Sequence, residues 1–92
     1  MQEIIRISTN AHNGLFDITR QVEAIVEKSD IQQGLASVYV QGATAAIMIQ
    51  ESWDQSVQND VVTLMKQMIP KGVWEHDAQD NNGDAHLKSG LI

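Results

Sequence analysis

The chain has 92 residues and a formal net charge of −6 at pH 7, with 42% hydrophobic and 20% charged residues. That composition is globular, fits one domain, and allows only a marginal core. It holds no cysteine for disulfides or thiolate sites, no run of roughly 20 apolar residues to cross a bilayer, and no clustered Lys and Arg to bind nucleic acid.

The N-terminus, "MQEIIRISTN", lacks the basic and apolar regions of a secretory signal, so a cytoplasmic location is expected. Residues 3–9, "EIIRIST", alternate Ile5 and Ile7 with Arg6 and Ser8, which predicts a half-buried strand. "NAHNG" is turn chemistry. Residues 17–30, "DITRQVEAIVEKSD", predict a helix with Asp17 capping the first turn and Ile18, Val22, Ile25 and Val26 as its apolar stripe. Gly34 is free to end it.

"LASVYV" (35–40) and "AAIMIQE" (45–51) predict two further strands, the second with Ile47, Ile49 and Glu51 on one face. The near absence of charge from Leu35 to Ile49 suits the middle of a sheet. "DQSVQNDVVTLMKQMIP" predicts a second helix, with Asp54 as N-cap, Val57, Val61, Leu64 and Met68 at helical spacing, and Pro70 as its stop. "WEHDAQDNNGDAHLKSG" (74–90) is too polar for core and reads as a loop, closing into a short helical turn from Ala85. The elements together predict an α+β fold, an antiparallel or mixed β-sheet packed with two main helices, in a single domain over 1–92.

Chemistry concentrates in that last loop. His76 and His86, with aspartates between them and Gly83 to allow a bend, offer imidazole and carboxylate donors suited to Zn²⁺ or another first-row divalent ion. Their spacing matches neither a metalloprotease helix, a zinc finger nor a calcium loop, and on spacing alone a solvated surface loop is the commoner outcome. Glu51, at a strand end, is a candidate metal ligand or general base, although a lone glutamate there usually faces water. His12 reads as a surface histidine, and Trp53 and Trp74 as packing anchors. No phosphate-binding glycine loop or nucleophile elbow is present.

Taken in order, "DIT" (17–19), "GL" (34–35), "TAAIMIQESWD" (44–54), Asp60, Pro70, "WEHD" (74–77) and "GDAHLKSGL" (83–91) resemble the YjbQ family. These are small, largely uncharacterised proteins, some labelled secondary thiamine-phosphate synthases. The resemblance covers essentially the whole chain and implies an α+β fold, a homotrimer and a divalent metal held by histidines near a subunit boundary. Residue by residue, it implies His76 and His86 as metal ligands and Glu51 as the catalytic position. Thr44 and Lys88 fall at positions implied to meet a phosphorylated small-molecule substrate. Asp54 and Asp60 match further polar positions of unassigned role.

Two departures stand out. Many members read "HTTAAI" where this chain reads "GATAAI", so Gly42 takes the place of a family histidine and only Thr44 remains of the threonine pair. The family also continues for about a third of its length beyond Ile92, so a truncated chain or a short form completed by association is expected. The resemblance thus implies a metal-binding oligomer with thiamine-phosphate synthase-type transferase activity. The rival is a non-catalytic binding module holding a structural ion or none.

Overall fold

The computed structural model describes residues 1–92. All its regular structure is helical: α1 (Thr19–Ser29), α2 (Gln55–Met68), α3 (Asp77–Asp80) and α4 (Gly83–Leu91). The chain divides into two compact units, Met1–Ser37 and Val38–Ile92.

The expected α+β architecture is overturned, because no residue is in a strand and no sheet forms. Residues 3–9, 35–40 and 45–51 carry the composition of strands without pairing partners. Outside the helices, backbone hydrogen bonds gather at helix ends and in the turns from Trp74 to His86. Period-two alternation tells a segment which face to bury, but a strand exists only when a neighbour completes its ladder. Unpaired, these segments leave Ile4 71%, Leu35 104% and Ile49 96% exposed.

In the first unit, Asp17 starts α1 as an Asx turn. Its Oδ1 accepts from the Thr19 amide at 2.9 Å and from the Thr19 hydroxyl at 2.6 Å. Ile18, Val22 and Ile25 of the expected stripe are half-buried, while Val26 is exposed. The helix ends earlier than Gly34: Asp30 turns left-handed at φ 57° and donates its amide to the Glu27 carbonyl. Lys28, in the last turn, reaches Glu3 at 3.0 Å and ties the N-terminal segment to α1. So exposed a pair contributes little beyond fixing position.

In the second unit, Asp54 caps α2 as expected, accepting from the Ser56 amide at 2.9 Å and the Ser56 hydroxyl at 2.6 Å. Those bonds, the hydroxyl's first and the amide's second, hold the Asp54 carboxyl below its ordinary value against slight desolvation, with the Val57 amide adding to them. Val57 and Val61 are half-buried, but Leu64 and Met68 are about half exposed, Met65 taking the inward position instead. Ile69 is the buried hydrophobic residue at the end of α2. Past Pro70, whose carbonyl accepts from Trp74 Nε1 at 2.6 Å, the chain turns through Gly72 at φ 88°. The stretch read as loop then forms α3 and α4.

Candidate functional site: a histidine pair on two short helices

α3 is a single turn. His76 precedes it with helical backbone angles and its carbonyl accepts from the Gln79 amide at 2.9 Å. Asn81 ends it in the left-handed region at φ 55°, a conformation asparagine tolerates better than most residues. Asn82 then begins α4, its carbonyl accepting from the amides of Ala85 at 3.1 Å and His86 at 3.3 Å.

Two ionic arrangements hold this corner. Asp77 accepts from the Trp74 amide through Oδ2 at 3.1 Å and from the Gly83 amide through Oδ1 at 2.8 Å. Asp84 is wholly buried and meets the Lys88 ammonium at 2.6 Å, one turn along the same helix. Sequence reasoning did not single out Asp77, because its role depends on a loop closure that spacing does not reveal. The Asp84–Lys88 pair had a visible signal, opposite charges at i and i+4.

The two histidines are brought together. The ring centres of His76 and His86 lie 4.7 Å apart with planes at 84°, an edge-to-face contact. His76 Nε2 also lies 3.5 Å from Asp80 Oδ2. The other candidate residues are not gathered in the same way. Glu51 is exposed, its amide donating to the Gln50 side chain at 3.2 Å. Thr44 is exposed, and Lys88 is turned to Asp84 inside the fold. No group of three His, Cys, Asp or Glu side chains is arranged to hold a metal ion.

Gly42 stands at φ 107°, and a Cβ built there meets nothing within 4 Å. The adjoining Ala43 carbonyl accepts from the Ser89 hydroxyl at 2.5 Å, so this segment is tied to α4 next to the histidine-bearing turn. For a metal of the kind the resemblance implies, the structure offers two imidazoles close together. Zn–N bonds of about 2.0–2.1 Å place a shared ion about 3.2 Å from each ring centre, which allows centres up to about 6.4 Å apart. The observed separation satisfies that condition, whereas the third ligand of a catalytic or structural zinc site is not assembled.

No helix of the structure is long and apolar enough to cross a membrane. No solved structure matches the chain. Among curated proteins, a UPF0047 protein of Methanocaldococcus jannaschii is 37% identical over 95% of this chain and 62% of its own length. The UPF0047 protein YugU of Bacillus subtilis is 33% identical over 100% of this chain and 70% of its own. A UPF0047 protein of Archaeoglobus fulgidus is 39% identical over 85% of the chain and 60% of its own. The chain thus spans about three fifths to seven tenths of the length of these relatives. Residues 3–92 match the family described as UPF0047 protein YjbQ-like, and the chain belongs to that family.

Proposed function

We propose that this chain is the divalent-cation-binding part of a self-associating YjbQ-like protein, with His76 and His86 as its imidazole donors. The carrying observation is the 4.7 Å separation of the two rings, close enough for one ion to meet both. Further donors would have to come from water, from a phosphorylated ligand or from a second copy of the chain. In the transfer that the family resemblance implies, a cation held there would offset charge on phosphate oxygens. The chain's own part is to hold two imidazoles close together, one just before α3 and one on α4.

A non-catalytic binding module is the second reading, and one observation favours it. Lys88, the cation nearest the histidines in sequence, is turned inward to Asp84 rather than toward a ligand. Calorimetric titration of the metal-free protein with Zn²⁺ tests the site. Binding is expected in the wild type, with affinity falling at least tenfold in His76→Ala and in His86→Ala and unchanged in His12→Ala. Unchanged affinity in the double histidine variant overturns the site. Metal-dependent formation of thiamine phosphate separates the enzyme from the module.

A further inference from the structure

The geometry points to Asp77 as the positioning residue of the histidine pair: its carboxylate sets the approach of His76 to His86 by bridging the backbone at both ends of the turn between them. The inference rests on the cation-site reading for its consequence, but not for its geometry.

Each oxygen of Asp77 has one task. Oδ2 accepts from the Trp74 amide while the Asp77 amide donates to the Trp74 carbonyl at 3.0 Å, a reciprocal closure that starts α3. Oδ1 accepts from the amide of Gly83, the first residue of α4. One rigid side chain thereby spans from the start of one helix to the start of the next. His76 is bonded directly to Asp77, and His86 stands three residues beyond Gly83, within one helical turn of it. Fixing Asp77 against Gly83 leaves the two imidazoles little freedom to separate.

Gly83 meets the same requirement from the other side. It is buried, and a Cβ there would lie 2.7 Å from Trp74 Cβ and 3.0 Å from Asp77 Oδ1. The backbone comes this close only because no side chain intervenes. A carboxylate with both oxygens committed to amides and a glycine that admits the approach form one device. Both bonds are charge-assisted and part-buried, the class that contributes most to holding a conformation. Beside the device, Asp80 lies near His76 and Asp84 meets Lys88 of its own helix.

The test separates positioning from stability. In the metal-free protein, the nuclear Overhauser contact between the two imidazoles is measured alongside the melting temperature, and Zn²⁺ affinity follows by calorimetry. Asp77→Ala and Gly83→Ala are expected to lose the ring contact and to weaken Zn²⁺ binding at least tenfold. Asp77→Asn, which retains one acceptor oxygen, should fall between them and the wild type. Asp54→Ala, which removes a comparable cap from α2, should lower the melting temperature and leave the ring contact and Zn²⁺ affinity unchanged. An intact ring contact in Asp77→Asn and Asp77→Ala overturns the inference, as does an equal loss in Asp54→Ala. If the ring contact is lost but the wild type takes no Zn²⁺, positioning by Asp77 stands and the cation reading alone falls.

Discussion

Asp54 and Gly42 show how much a single position can carry when its role is local. The Asp54 carboxyl titrates below its ordinary 3.8 because the Ser56 hydroxyl and amide bond its charged form. A depressed carboxyl contributes stability that is fully present above the unfolded value and is lost as pH falls through the folded one. The melting-temperature gap between wild type and Asp54→Ala should therefore be constant near neutrality and close as pH drops below 3.8. Asp54→Asn, an equally good cap that does not titrate, should hold its advantage over alanine throughout. Gly42 makes the opposite kind of statement. Space is open around it, but φ 107° penalises any L side chain, so Gly42→His and Gly42→Ala should both lose about 1–2 kcal/mol in urea unfolding. The histidine variant should regain more stability than the alanine variant on adding Zn²⁺, because it alone brings a third imidazole beside α4. Equal behaviour of the two variants with the ion present would show that position 42 does not reach the pair.

Among the elements, legibility followed the range of the forces involved. The Asp54 cap and the stop at Pro70 were readable because each acts within a few residues, whereas Ile18 takes the cap position of α1 and Asp17 bonds Thr19 from one residue before it. The strands were misread for the converse reason: alternation in "EIIRIST" and "AAIMIQE" describes a face, while a strand needs a partner elsewhere. α3 and the start of α4 were read as loop because they lack an apolar stripe. They are held instead by Asp77 and by the enclosed Asp84–Lys88 pair. The candidate site shows the same division, since the polarity around His76 and His86 was visible but the carboxylate that brings the rings together was not. Removing one member of a buried pair costs about 3–5 kcal/mol, because the other charge is left without compensation. Lys88→Met should be the more costly of the two, since the fully enclosed Asp84 carboxylate is too short to reach water. Asp84→Ala should cost less, as the Lys88 stem can extend its ammonium outward. Chemical denaturation of both variants checks the order, and equal losses would refute it.

For the whole molecule, the governing quantity is unsatisfied surface. Ile4 and Leu35 in the first unit and Tyr39, Ile49 and Trp53 in the second are each more than 70% exposed, apolar side chains that an interface would cover. Self-association, in the trimer that the family resemblance implies, would cover some of them. Sedimentation equilibrium should then give a mass three times that of the 10.2 kDa chain. A single-chain mass at every concentration would exclude association, and another multiple would exclude the trimer alone.

The bond from the Gly83 amide to Asp77 also bears on how long the protein lasts. An asparagine followed by glycine ages chemically: the glycine nitrogen attacks the asparagine side-chain carbonyl, ammonia leaves, and water opens the succinimide to aspartate or isoaspartate. The chain has two such pairs, Asn13–Gly14 and Asn82–Gly83. Attack at Asn82 needs its ψ to swing away from 27°. That rotation would break the bonds from Ala85 and His86 to its carbonyl and the one from Gly83 to Asp77. Asn13–Gly14 lies in an irregular stretch with no helix to hold its ψ. On prolonged incubation at mildly alkaline pH, peptide mapping should find isoaspartate at position 13 well before position 82. Asp77→Ala should bring the second site toward the rate of the first, so that loss of one carboxylate is recorded as damage at Asn82, further along the chain.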